Sequence, residues 1–239
     1  MTTVDCARIQ RMQLFHRPFC PHSRFLRLVL AERGLDVELI EERPWERRPD
    51  FLRLNPEGAT PVLVVADTFA VPGAEIACAW LDETGAGMPS RPLLPESPVE
   101  RVEVRRLVRW FNGKFFEEVS GLLVEEKIDK RFKSPEHGGG GPNTTALRAA
   151  RANVRYHLAY IGWLAARNHW LAGPEMSYAD LAAAAHLSVV DYLGEVAWSD
   201  EATAREWYAR VKSRPSFRAL LADRVAGMPP SVTYTDLDF

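Results

Sequence analysis

Met12-Gln13-Leu14-Phe15-His16, then Pro18-Phe19-Cys20-Pro21-His22-Ser23, then Phe25-Leu26-Arg27-Leu28-Val29-Leu30-Ala31-Glu32-Arg33-Gly34 is the stretch that decides the fold. It reads strand, loop, helix. Apolar residues at 25, 26, 29 and 30 line one helix face, Pro21 suits the first turn, and Gly34 suits a left-handed C-terminal stop. Working outward, Val37 to Ile40 restarts a strand and Asp50 to Leu54 is a polar helical stretch. Val62 to Val65 is a short aliphatic strand, residues 68 to 71 pair back on it, and Ala74 to Thr84 closes the unit as a helix. The order β-α-β-α-β-β-α predicts a thioredoxin-like α/β domain over residues 12–85.

Gly, Pro and Ser crowd together from Gly85 to Pro98, which marks residues 86–98 as a linker. Residues 99–230 read as an all-helical domain. Val104, Leu107, Val108, Phe111, Phe115, Val119 and Leu122 recur at three and four residues, so one long amphipathic helix is expected from Val99 to about Phe132. Lys133 to Thr145, with Gly138 to Gly141, reads as a flexible break. Leu147, Val154, Leu158, Ile161 and Ala165 define a second long helix, and Leu181 to Tyr192 is apolar nearly all round, as the central helix of a bundle is. Ser177, with Asp180 three residues on, is a capping-box start for it. Ala204 to Lys212 and Phe217 to Arg224 read as two shorter helices, and residues 231–239 as an extended tail after Pro229-Pro230.

The 239 residues, 46% hydrophobic and 26% charged, suit two globular domains, and a net charge of -2 supplies no basic field for nucleic acid. No segment offers the roughly 20 consecutive apolar residues of a membrane span, and no apolar leader follows the first basic residue, so a soluble cytoplasmic protein is expected. Cys6, Cys20 and Cys78 are odd in number and scattered, which fits a reducing compartment; no metal-ligand spacing is present.

From about Met12 to Ala226 the two-domain order and its local motifs resemble the glutathione-transferase superfamily. Within it, Arg105-Arg106-Leu107-Val108-Arg109-Trp110-Phe111, Trp170-Leu171-Ala172-Gly173, Met176 to Ala185 and the ending Tyr234-Thr235-Asp236-Leu237-Asp238-Phe239 resemble the FzlA family. Members of that family are transferase-like proteins of alphaproteobacteria that bind the tubulin-like division protein FtsZ. The resemblance implies FtsZ as partner, with recruitment to the division site. It also implies a homodimer in which Arg105, Arg106 and Arg109, which share one flank of the long helix, meet acidic residues of the partner subunit; a solvated charged face is the competing reading.

Cys20 opens a helix behind a strand, where the positive helix end favours a thiolate. Cys20-Pro21-His22-Ser23 resembles the Cys-x-x-Ser motif of superfamily members that form mixed disulfides with glutathione, with Ser23 as an alternative hydroxyl donor. An inert loop cysteine and a helix-capping serine are the competing readings. His22 lies two residues from Cys20, a spacing that does not share a helix face, so it reads as a solvated histidine, as do His16, His157, His169 and His186.

Thr60-Pro61 resembles the superfamily's cis-proline turn, which presents backbone groups to the cysteinyl part of glutathione. Where transferases place Glu-Ser to hold the γ-glutamyl group, this chain has Gly73-Ala74, which carry no side-chain donor or acceptor. Weak or absent glutathione binding and little conjugation are therefore expected. The alternative is a glutathione S-transferase or glutathione-dependent thiol transferase using Cys20 or Ser23; a transferase-fold protein with another ligand is a third reading. In the tail, Tyr234, Asp236, Leu237, Asp238 and Phe239 combine apolar anchors with acid groups and read as a partner-docking segment; a tail folded back on its own domain is the competing reading.

Overall fold

The computed structural model describes residues 11–87 and 91–236. The chain falls into two compact units, residues 1–91 and 92–239.

In the first unit the elements are β1 (Met12–His16), α1 (Pro21–Glu32), β2 (Glu38–Glu41), α2 (Pro49–Leu54), β3 (Val62–Val65), β4 (Phe69–Pro72) and α3 (Ala74–Thr84). The sheet order is β2-β1-β3-β4, with β1 parallel to β2 and antiparallel to β3, and β3 antiparallel to β4. Alternation splits β3 between two faces. Val62 and Val64 join Phe51 and Leu54 of α2, and the Phe15 ring sits 5.9 Å from that of Phe51. Leu14 and its register partner Leu63 occupy the opposite face, fully buried, where α1 and α3 pack on each other. Gly34 has φ +66°, the left-handed stop its position requires.

One arginine in α1 contradicts its composition. Arg24 is completely buried; its Nε donates to Pro18 O at 2.7 Å and its guanidinium lies 4.5 Å from the Phe19 ring centre. A cation is tolerated there because it is hydrogen-bonded and stacked. It fastens the loop before Cys20 to the helix after it.

The second unit contains α4 (Pro98–Arg109), a π-helical segment (Trp110–Ser120), α5 (Gly121–Lys127), α6 (Thr144–Asn168), α7 (Tyr178–Tyr192), α8 (Ala202–Lys212), α9 (Arg218–Leu221) and α10 (Val232–Thr235). The expected long helix is thus one continuous run with a change of winding inside it. Apolar residues at 107, 111, 115 and 119 repeat every four residues, between the α turn of 3.6 and the wider π turn, so spacing alone did not distinguish the two. The π segment holds two buried histidines. Ser120 and Asn112 bracket His186 at 2.8 and 3.1 Å, while Trp110 and Glu118 bracket His157 at 3.1 and 3.0 Å. His16, His157 and His186 are buried rather than solvated, because each ring fills a core position that sequence spacing did not reveal; His169 is exposed as expected.

Every residue of α7 is buried. Ser177 caps it, and Asp180 accepts from Ser177 N at 2.9 Å and Ser177 Oγ at 3.1 Å, and also from Leu171 N and Trp207 Nε1, both at 2.9 Å. One carboxylate thereby ties the preceding loop and α8 to the start of the central helix. The expected helix over Phe217 to Arg224 is only the single turn α9, because the chain reverses at Gly227, with φ +70°, through a bridge between Val225 and Met228. Between α5 and α6 the glycine-rich break contains a 3-10 turn at Pro135–His137, and Gly139 N donates to Ser134 O at 2.9 Å. No helix among the described residues is long and apolar enough to cross a membrane.

Candidate functional site

The site in the first unit is assembled where β1 gives way to α1. Cys20 is the N-cap of α1, in extended backbone conformation, and Pro21 begins the helix. An N-cap side chain lies beside the residues at N2 and N3, here His22 and Ser23, so the rule against two-apart contacts within a helix does not apply. Burial, with 4% of Cys20 exposed, pushes its thiol up. The hydrogen bond from His22, the charges of Arg17 and His22, and the hydrogen bond from Ser23 outweigh it and bring the thiol down to about 6. His22 is therefore part of the site. The signal available in the sequence was its distance from an N-cap cysteine rather than from a helical one.

When protonated, the Cys20 thiol points at Thr60 O, 3.8 Å away. The Thr60-Pro61 bond is cis, and Pro61 O accepts from Gly73 N at 2.9 Å, so the turn joins the cysteine to the start of α3. Gly73 is the N-cap of α3 at φ +85°, ψ +141°, a conformation that glycine adopts without strain, and no side chain caps the helix there. Cys20, Ser23, Thr60, Pro61, Gly73 and Ala74 are thus gathered in one unit. Ser23 is fully buried and its hydroxyl accepts from Arg17 N at 3.4 Å. Ala74 is buried and Glu75 already places a carboxylate in the first turn of α3. The remaining anion-binding groups are backbone N–H groups, with a resident acid beside them.

Cys78 is the opposite case. Burial and the carboxylates of Asp82 and Glu75 push its thiol well above the ordinary range, against the opposing charge of Arg33. It is a core residue.

The tail residues are divided. Val232–Thr235 is a helical turn capped by Ser231 Oγ, which accepts from Tyr234 N at 3.1 Å, so residues 231–235 are not extended. Tyr234 is completely buried and its hydroxyl donates to Leu220 O at 2.5 Å; the ring packs 5.1 Å from Tyr192 and is no anchor for a partner. Lys212, buried beside Asp191, donates from Nζ to Thr233 O and, at 2.6 Å, to Asp236 O. That cation closes the C-terminal end of the turn, which is why two prolines did not leave the chain extended. The Asp236 side is exposed, and Leu237, Asp238 and Phe239 lie outside the described residues. On α4, Arg105, Arg106 and Arg109 are exposed; Arg106 makes a two-toothed pair with Glu103 and donates to Tyr160 Oη at 2.8 Å.

A sheet carrying a cis-proline turn opposite an N-cap cysteine, followed by a helical unit with a capping box at its central helix, has close counterparts. Residues 19–84 match the glutathione S-transferase N-terminal domain and residues 124–215 the glutathione S-transferase C-terminal domain. FtsZ-localized protein A of Caulobacter vibrioides is 44% identical over 235 residues, 95% of this chain and 97% of that protein. The chain belongs to the FzlA family of the glutathione-transferase fold. Among solved structures, FzlA from C. crescentus superposes with a TM-score of 0.87 at 44% identity over 96% of this chain and 100% of that one. A glutathione S-transferase from Sinorhizobium meliloti superposes with a TM-score of 0.91 at 50% identity, again over 96% and 100%. FzlA-type sequence is therefore spread over the whole transferase frame.

Proposed function

We infer that this chain works as an FzlA-type protein: it associates with FtsZ in the cytoplasm, is recruited to the division site, and conjugates glutathione little or not at all. The observation that carries the reading is 44% identity over 95% of the chain with a protein named for its localization to FtsZ. The bare start of α3 supports the second half. Gly73 and Ala74 offer no side-chain donor, and the loss of charge-assisted hydrogen bonds of about 1.5–3 kcal/mol each weakens a micromolar ligand towards millimolar. The chain acts as a homodimer in this reading, with the α4 flank of Arg105, Arg106 and Arg109 near the partner subunit; light scattering at twice the chain mass is the expected result.

Co-sedimentation with FtsZ filaments tests the association, and a parallel passage over immobilised glutathione tests the ligand. Pelleting with filaments and flow-through from glutathione are expected; retention on glutathione without pelleting rejects the reading. A second reading has one specific observation behind it, the Cys20 thiol brought to about 6. It is thiol exchange at Cys20 with a low-molecular-weight disulfide, and mixed-disulfide formation lost in Cys20→Ser is its signature.

A further inference from the structure

The second unit holds a cavity that none of the chemistry above uses. Its volume is about 240 Å³, and Pro92, Pro95, Val104, Ala172, Pro174 and Met176 give it an apolar floor and walls. Glu96 and Glu100 stand on one lip and Glu175 on the other. Glu96 and Glu100 are exposed, and neither has an ion-pair partner among the described residues. Apolar surface beside the Glu96 and Glu100 carboxylates favours an occupant that carries a cation next to an apolar group.

Both walls are built before any ligand arrives. The α4 wall is fixed by Ser97, whose Oγ caps Glu100 N at 3.5 Å, and by Arg101, whose Nε donates to Pro95 O at 2.6 Å. The facing loop is fixed by Asp180, which accepts from Leu171 N and Ser177 N, and by Trp170 N donating to Gly173 O at 3.1 Å. Tyr178 N donates to Leu93 O at 3.0 Å and so ties the two walls together. A preformed cleft loses little ordering entropy on binding.

The size separates kinds of occupant. Pockets for drug-sized ligands are about 300–1,000 Å³, so a smaller cavity suits a single large side chain. An occupant that fills the apolar cavity and also reaches Glu96 and Glu100 carries two adjoining groups, an apolar one and a cation, as neighbouring side chains of a peptide do.

We propose that this groove docks a protein partner through a short segment in which an arginine or lysine adjoins a large apolar side chain, the apolar group entering the cavity and the cation meeting Glu96 and Glu100. The proposal stands apart from the FtsZ reading, and its test needs no FtsZ. The full-length ¹⁵N-labelled chain is titrated with acetyl-Leu-Arg-Leu-amide, with the same peptide carrying citrulline, the uncharged isostere, in place of arginine, and with benzamidine. Saturable shifts at the amides of Gly173, Glu175, Met176 and Ser177 are expected, with the citrulline peptide about tenfold weaker. Glu96→Gln weakens the arginine peptide several-fold at an unchanged melting temperature, because Glu96 is exposed and lies outside α4. A Cβ at Gly173 meets nothing within 4 Å, so Gly173→Leu fits the backbone, fills the cavity and abolishes the shifts. Absence of saturable shifts, equal binding of the arginine and citrulline peptides, or tighter binding of benzamidine than of the peptide overturns the proposal.

Discussion

Cys20 and Asp180 are both buried, ionisable and placed at the start of a helix, one in each unit, yet their surroundings push them in opposite directions. Cys20 at the N-cap of α1 faces His22 and Arg17, and its thiol falls to about 6 despite burial. Asp180 at the third position of α7 is wholly buried, and burial raises its pKa even though Leu171 N, Trp207 Nε1 and both Ser177 groups donate to it. The lesson is that a helix N-terminus alone does not decide the charge state. The hydrogen bond from His22 and the charges of Arg17 and His22 outweigh desolvation at Cys20, while desolvation outweighs hydrogen bonding at Asp180. The Cys20 thiol has half-buried polar and charged neighbours, whereas the Asp180 oxygens are taken up by backbone, hydroxyl and indole donors that hold the loop, the helix start and α8 together.

Asp180→Ala is the strongest way to probe the contrast. It leaves the N–H groups of Leu171, Ser177 and Trp207 without their acceptor, and a loss of about 5 kcal/mol in urea unfolding is expected. Retention of wild-type stability breaks the assignment of Asp180 as the structural partner.

Cys20 produces its effect through pH. Its folded pKa, about 6, lies below the unfolded value of 9.0, so its contribution is fully present above pH 9 and lost as pH falls through 6. Stability of the wild type relative to Cys20→Ala therefore grows by about 3 kcal/mol between pH 6 and pH 9. A flat difference contradicts the thiolate.

His22→Ala sharpens the same point by removing the largest of the lowering influences. The thiolate absorbance titration of Cys20 is expected to move up by about one unit, equivalent to about 1.4 kcal/mol, and an unmoved midpoint transfers the effect to Arg17. Ser177→Ala is the smallest change, removing a helix cap while Asp180 keeps three donors, and a loss of about 1 kcal/mol is expected from thermal unfolding.

The FzlA-like reading and the cysteine are compatible because they occupy different links of the chain from sequence to function. The Gly73-Ala74 departure removes side-chain donors from the start of α3, but it leaves untouched the environment of Cys20 on α1. The lowered thiol pKa of Cys20 therefore does not depend on side-chain donors at the start of α3.

The amino-acid sequence by itself determined the order of elements, the cis-proline position, the glycine stop of α1, the capping box of α7 and the central place of that helix. Each of these is written in residues close together along the chain, through periodicity, turn chemistry or capping. Tertiary structure alone decided the rest. The π winding of Trp110–Ser120 arises where His157 and His186, distant in sequence, are bracketed by its side chains. The fate of Tyr234 is set by Leu220 and Tyr192, and the closure of its turn by Lys212. The thiol of Cys20 balances burial against charge, and burial is a sum over everything packed around it. Local pattern fixes backbone geometry because its energies act within a few residues; desolvation and side-chain partnership act through space, so they exist only once the chain has folded.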